Sequence, residues 1–315
     1  AWQLGCRLQW RPGSTDEVVW NERIKDHYVC RIYNIRTGQS RLLDRPVYSI
    51  APDGRTAFTY DFERVGFRGY GYDGIDDKAE QHHAPKSTGL YTIDLDTGKS
   101  KLIVSLAQIS ELRKPDPYPA DKFGNLYFVQ GSWNPSGTRF MVFSRRSRKN
   151  RGGKGTLGTI VFTSDPQGLD IRRVDQDLSH YEWADNRTML FWKDGYRLYK
   201  DNGKPENTLM FNAPNGHQSY LPGREWLITD TYPDRKTMIK QLFLYHIPTK
   251  SFVPLGRFRT PKPYPRSTEF RIDLHPRISR DGRQVIIDSV HGGSGRQMYL
   301  LDIGHILDSF PKDKE

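Results

Sequence analysis

Three of the nine histidines in the chain recur at one kind of place. His180 stands in LSHYEW, His217 in NGHQSY and His275 in DLHPRI, each just ahead of an apolar, strand-like run. Three imidazoles brought together can bind a divalent ion, or take and give protons near neutral pH. Such a base suits removal of an acidic carbon-bound proton, with a metal or an Arg stabilising the charge that develops. The plainer alternative is a set of histidines that cap strand starts by hydrogen bonding.

Other candidates surround these three in the sequence. His291 and Gln297 lie in DSVHGGSGRQMY, where glycines permit close approach of a ligand. A plain turn is the alternative there. Tyr232 closes the segment Asp230-Thr231-Tyr232. The run Arg145–Gly155, RRSRKNRGGKG, could clamp carboxylates or sulfates, because a guanidinium offers a planar two-pronged fork. Within it Arg146 is the candidate to act at the reacting centre. Arg145, Tyr232, His291 and Gln297 are candidates for substrate binding. A solvated loop is the competing reading of the basic run. His82 and His83 fall in the long insertion Asp61–Ser87 and could reach over a site as a lid, or stay solvated. His27, His246 and His305 have no supporting context and are read as structural.

The elements that must position these residues repeat along the chain. One unit recurs: a short strand, a Pro or Asp-Gly turn, an apolar strand, a gap, and a strand ending near Asp-x-x-Thr-Gly. It reads IAPDGRTAFTYDF then GLYTIDLDTGKSKLI, and later HPRISRDGRQVIID then RQMYLLDI. Related copies start at Trp133, Trp183 and Tyr220, and a looser one at Leu8, so six repeats are recognisable. Alternation of apolar and polar residues marks strands, and Asp-Gly supplies the positive φ of a tight hairpin. A four-stranded meander cannot bury both faces alone, so such units stack radially. The expected fold is all-β: one β-propeller domain over 1–315, with seven four-stranded antiparallel blades. The seventh would hide in the interval 61–132 or be completed upstream of Ala1.

Strand direction then groups the loops. The start of each first strand and the loop after each second strand share a face. His180, His217, His275 and Gln130 take the first kind of position. The 61–87 insertion, the basic run, Asp230–Tyr232 and Asp288–His291 take the second. One channel mouth is therefore expected to collect them.

Composition sets outer bounds. The formal charge is +11, from 48 Lys and Arg against 37 Asp and Glu, which attracts polyanions such as acidic glycan, nucleic acid or anionic lipid. The basic run has no interleaved aromatics, which argues against nucleic acid. Cys6 and Cys30, the two cysteines, are expected as buried free thiols rather than a disulfide framework or zinc site. No apolar stretch nears the ~20 residues that cross a bilayer, so no membrane partner is expected. No signal peptide is visible, but the chain begins Ala1-Trp2-Gln3, and a periplasmic or secreted location is preferred to a cytoplasmic one. A Gly-x-Ser-x-Gly elbow, a P-loop and a dinucleotide fingerprint are all missing from the sequence.

The segments LSHYEWADNRTMLFW, NGHQSYLPG and DLHPRISRDGRQVIIDSVHGGSGRQMYLLDI resemble the propeller family of oligogalacturonate lyases and their bacterial relatives. The resemblance covers about residues 125–305, and its repeats are shared with TolB-like propellers. It implies seven blades and a β-elimination. A histidine removes the C5 proton of a uronate, a manganese-type ion binds the carboxylate, and the C4–O bond breaks. His180 in SHYEW resembles the family's base in Thr-His-Glu-Phe-Trp. His217 resembles one metal ligand. The family's Gln-x-x-His-x-His-Pro run corresponds to FRIDLHP here: His275 matches, while Asp273 and Phe270 replace His and Gln. The implied ligands are His217, Asp273 and His275, for manganese or alternatively calcium or zinc. Should the ion be absent, Arg271 or another Arg would neutralise the carboxylate. The related ulvan-type lyases imply that the uronate need not be pectic.

A uronate-glycan lyase is thus the leading expectation. A non-catalytic TolB-like propeller that binds an acidic glycan or a protein partner is the alternative. Nothing in the residues sets an oligomeric state.

Overall fold

The computed structural model describes residues 4–68, 72–119, 123–148, 156–261 and 271–310. The chain divides into two compact units. One comprises Ala1–Leu178 with Asp185–Thr188 and Lys200–Glu206; the other comprises Ser179–Ala184, Met189–Tyr199 and Asn207–Glu315.

The first unit holds three antiparallel meanders, each with its strands in chain order. Sheet 1 is Gln9–Trp10, Glu17–Ile24, His27–Asn34 and Ser40–Leu43. Sheet 2 is Ser49–Ile50, Thr56–Tyr60, Gly89–Asp94 and Ser100–Ser105. Sheet 3 is Phe123–Trp133, Phe140–Arg148, Thr156–Ser164 and Ile171–Gln176. Apolar residues from sheets 1 and 2 meet in one cluster, with Val19, Cys30, Ile32, Ala57 and Ile93 all buried. Fully burying each of Val19, Ile32 and Ile93 stabilises the fold by ~1.5–3 kcal/mol.

The hairpins use the residues that their geometry demands. In the first unit Asp53 accepts the N–H groups of Arg55 and Thr56, each at 2.8 Å. Gly54 follows at φ 66°, and a Cβ there would stand 2.1 Å from the Pro12 carbonyl oxygen. The Thr-Gly turns between third and fourth strands close similarly. Asn34 accepts from Arg36 and Thr37, and Asp94 accepts from Asp96 and Thr97. In each, a short side chain replaces a backbone acceptor.

The second unit carries most of sheet 4 (Ser179–Trp183, Thr188–Trp192, Tyr196–Lys200, Asn207–Phe211). It also holds sheet 5 (Ser219–Tyr220, Trp226–Asp230, Ile239–His246, Ser251–Arg259) and sheet 6. Sheet 6 has three strands among the described residues: Arg277–Ile278, Gln284–Ser289 and Gln297–Asp302. Leu190, Phe211, Leu227 and Tyr245 pack between sheets 4 and 5, and Ile228, Leu244, Val285 and Ile287 between sheets 5 and 6. The alternation in RQMYLLDI has its expected consequence. Tyr299 and Leu301 pack against this cluster, while Met298 and Leu300 point outward and are exposed.

The described residues therefore form six sheets, not the seven expected. The 61–132 interval has no room for another meander. It contains a short 3-10 helix (Phe62–Arg68), the last two strands of sheet 2, a helix (Leu106–Leu112) and the start of sheet 3. Cys30 is buried as expected, and burial raises its thiol to about 12; Cys6 is exposed, contrary to expectation. Among the described residues no helix is long and apolar enough to cross a membrane.

Candidate active site

The first strand of a sheet carries a kink where the candidate residues stand. Arg7, Gln130, His180 and His275 all have left-handed backbones, at φ 54°, 57°, 44° and 47°. Each lies three positions before the end of its first strand, at Trp10, Trp133, Trp183 and Ile278. At His180 the ladder passes from Ser179↔Trp192 to Tyr181↔Phe191, so His180 is the extra residue of a bulge. Gln130 is skipped likewise between Val129↔Phe143 and Gly131↔Val142. A left-handed conformation costs a residue with a Cβ ~1–2 kcal/mol, and a bulge re-aims its side chain. Strain retained at this recurring place marks a candidate functional position.

The second unit brings His180, His217 and His275 into one row. The ring centroids of His180 and His217 are 4.3 Å apart, edge to face, and those of His217 and His275 are 4.2 Å apart. The sequence expectation that these three meet is correct.

Each ring has its own setting. His180 Nδ1 lies 2.7 Å from Asn215 Oδ1. The Asn215 amide nitrogen donates to Ser179 Oγ, with Oδ1 facing the ring. In this arrangement Nδ1, which also lies 3.1 Å from Ser179 Oγ, carries the His180 proton and Nε2 the lone pair. That Nε2 lies 3.2 Å from the Tyr232 hydroxyl, which can donate to it. Tyr232 follows the second strand of sheet 5, and its N–H donates to the Asn215 carbonyl at 3.1 Å.

His217 faces Asp230 instead. Its Nδ1 lies 2.9 and 3.1 Å from the two carboxylate oxygens. Asp230 also accepts the backbone N–H of His217 at 2.6 Å and that of His275 at 2.9 Å. Burial alone would raise this carboxyl, but His217 and the two N–H groups outweigh it and hold the group down at about 2. Gly216 makes the approach possible, since a Cβ there would stand 1.7 Å from the Asp230 carbonyl oxygen. His275 is pushed well below the usual imidazole range by burial, then by His217 and Arg277, and stays neutral.

Two cations flank the row. Arg271 pairs with Asp273, Nη2 to Oδ2, at 2.6 Å, and its guanidinium lies 5.3 Å from the Tyr232 ring centroid. Lys240 is 1% exposed and donates through Nζ to the Ile272 carbonyl. Asn215, Asp230 and Lys240 had no role assigned from sequence. Asn215-Gly216 two residues ahead of His217 was the available signal for the first.

The expected metal ligands do not assemble. His217 and His275 are adjacent, but Asp273 is committed to Arg271. Among the described residues no group of three or more His, Cys, Asp or Glu could hold an ion. A dication would also have to settle beside Arg271 and Lys240, whose charges repel it. The donor set does not suit a divalent metal.

The remaining candidates have partners of their own. Arg146, in the first unit, is 3% exposed and pairs with Asp116 at 3.1 Å, beside the buried Arg113–Asp116 pair. It is an interior cation there. Arg145 donates to Gln130 Oε1 at 3.2 Å and to Thr159 Oγ1 at 3.1 Å. Residues 149–155 of the basic run, and Phe270, lie outside the described residues. The 61–87 insertion is tied down. Arg64, 4% exposed, donates to the carbonyls of His82 and His83, and His83 Nδ1 meets Asn125 at 3.1 Å. In the second unit His291 packs on Tyr299, with centroids 4.1 Å apart, and bonds Ser289. Gln297 donates to the Ser294 carbonyl, so both serve their own hairpin. His246 is structural, stacked between Trp226 and Phe310.

Fold comparison identifies the architecture as that of the β-propellers. An oligogalacturonate lyase solved in complex with manganese matches 94% of this chain and 76% of its own, at TM-score 0.63 and 12% identity. The oligogalacturonate lyase of Vibrio parahaemolyticus matches 91% and 74%, at TM-score 0.56 and 11% identity. The β-propeller domain of the Trilobed protease from Pyrococcus furiosus, described as having an open velcro topology, matches 94% and 80%, at TM-score 0.54 and 14% identity. At such identities the likeness is one of fold. No protein-family model matches the sequence, and no curated protein matches it.

Proposed function

We propose that the protein is a lyase that cleaves uronate-containing oligo- or polysaccharides by β-elimination. The carrying observation is the His180–Tyr232 pair: an imidazole with its lone pair on Nε2, 3.2 Å from a phenol. His180 Nε2 takes the C5 proton of the uronate. The electron pair left on C5 forms the C4–C5 double bond as the C4–O bond breaks. Tyr232, on the same side, gives its proton to the departing oxygen. A base and an acid 3.2 Å apart can act on neighbouring atoms of one substrate, which supports this reading. Asn215 keeps the base in the working tautomer. The positive net charge favours a polyanionic chain. Such glycans are met in the periplasm or outside the cell, which is the location this reading favours.

The test is ultraviolet absorbance of the unsaturated uronate on incubation with a panel of acidic glycans, with His180→Ala as control. Turnover of at least one glycan is expected, falling ~10²–10⁴-fold in the variant. No product from any glycan, with or without added divalent metals, sinks the proposal. Glycan binding without product, unchanged in His180→Ala, points instead to a non-catalytic binding propeller.

A further inference from the structure

We infer that the site recognises its substrate's carboxylate through Arg271, without a divalent metal. This rests on the uronate reading above and specifies how the acid group is held.

An acid group entering beside the His180–Tyr232 pair needs a positive partner. Besides Arg277 at the His275 end of the row, two cations are near. Lys240 is 1% exposed, and its ammonium is spent on the Ile272 carbonyl beneath the row. Arg271 is the one beside Tyr232, with 15% of its side chain exposed. It stands against Tyr232, which in turn touches His180. A guanidinium carries five N–H donors, enough for two carboxylates, and its fork matches a carboxylate's two oxygens. Asp273 aims it from one side through the 2.6 Å ion pair.

A metal at the same place meets the opposite conditions. Asp230 gives its oxygens to His217 and to two backbone N–H groups. Asp273 is neutralised by Arg271. Recruiting either carboxylate as a ligand would cost it these partners. The same carboxylate that could have been a ligand instead positions a fixed organic cation. As the C5 proton leaves, charge grows on the uronate carboxyl oxygens. A preplaced guanidinium stabilises that charge with no reorganisation.

The experiment titrates digalacturonate and its carboxyl-reduced analogue into the protein by calorimetry, with EDTA present, and measures bound manganese by elemental analysis. Wild type is expected to prefer the carboxylate form about tenfold or more in chelator, and to hold no stoichiometric manganese. Arg271→Ala should abolish that preference, and Arg271→Lys should retain part of it. Thermal denaturation of both variants separates lost recognition from lost folding. Three results overturn the inference: no preference in wild type under EDTA, a preference that appears only with bound manganese, or an undiminished preference in folded Arg271→Ala. The lyase reading fails separately. Arg271-dependent binding with no unsaturated product removes that reading and leaves this one standing. Manganese-dependent turnover that requires His180 does the reverse.

Discussion

Asp230 holds His217 by both carboxylate oxygens, 2.9 and 3.1 Å from Nδ1, while its backbone contacts reach the starts of two sheets. The N–H groups of His217 and His275 both end on this one group. Asp230 is thus a positioning residue for two of the three imidazoles. Asp230→Asn keeps the shape but supplies only one acceptor oxygen, and its amide faces N–H donors. A loss of ~2–4 kcal/mol in unfolding free energy is expected by urea titration.

The same group sets a pH window. Its folded carboxyl is held at about 2, against 3.8 for the ordinary group. The unfolded chain therefore binds the proton first. The stabilisation, on the order of 2 kcal/mol, is complete above about pH 4 and lost as pH falls toward 2. Wild type should lose that much more stability than Asp230→Asn across this range, read from Tm against pH.

Tyr232→Phe separates the phenol from the ring. The ring still lies against Arg271 and beside His180, whose centroid is 5.6 Å away. The 3.2 Å hydrogen bond to Nε2, the hydrogen bond from Arg271 and the transferable proton are lost. Turnover should fall ~10²-fold with little change in KM, because the proton matters when the C4–O bond breaks. A rise in KM with unchanged kcat would make Tyr232 a binding group only.

Arg146 gives the opposite signature. Arg146→Ala leaves Asp116 with only Arg113 and opens a cavity, so a loss of ~2–4 kcal/mol is expected from denaturant unfolding. In the folded variant, kcat/KM per active molecule should stay within about twofold of wild type. A selective collapse of kcat with normal stability would restore the role first read from its place in the basic run.

Much of the framework is local and was legible. Asp53-Gly54 and Asp281-Gly282 announce hairpins because a short acceptor and a positive φ are needed at adjacent positions. Asp281 accepts the Arg283 N–H at 3.0 Å and Gly282 sits at φ 75°. The alternation in RQMYLLDI set which side chains of that strand face the core. The place of His180, His217 and His275 at the starts of first strands, together with strand direction, predicts that the three come together, and their rings do.

What stayed illegible depends on contacts between distant segments. Arg146 and Arg271 look alike as letters in polar stretches. Asp116, 30 residues away, draws the first into the interior, while Asp273 and Tyr232 hold the second at the imidazole row. Asp273 could read as a metal ligand from spacing alone, since a carboxylate's partner is chosen only when the chain folds. The pairing of His180 with Tyr232, 52 residues on, has the same origin. Propensity and turn chemistry act over a few residues and so can be read along the chain. Charge pairing, tautomer and burial are properties of neighbours in space, and tertiary structure alone decided them.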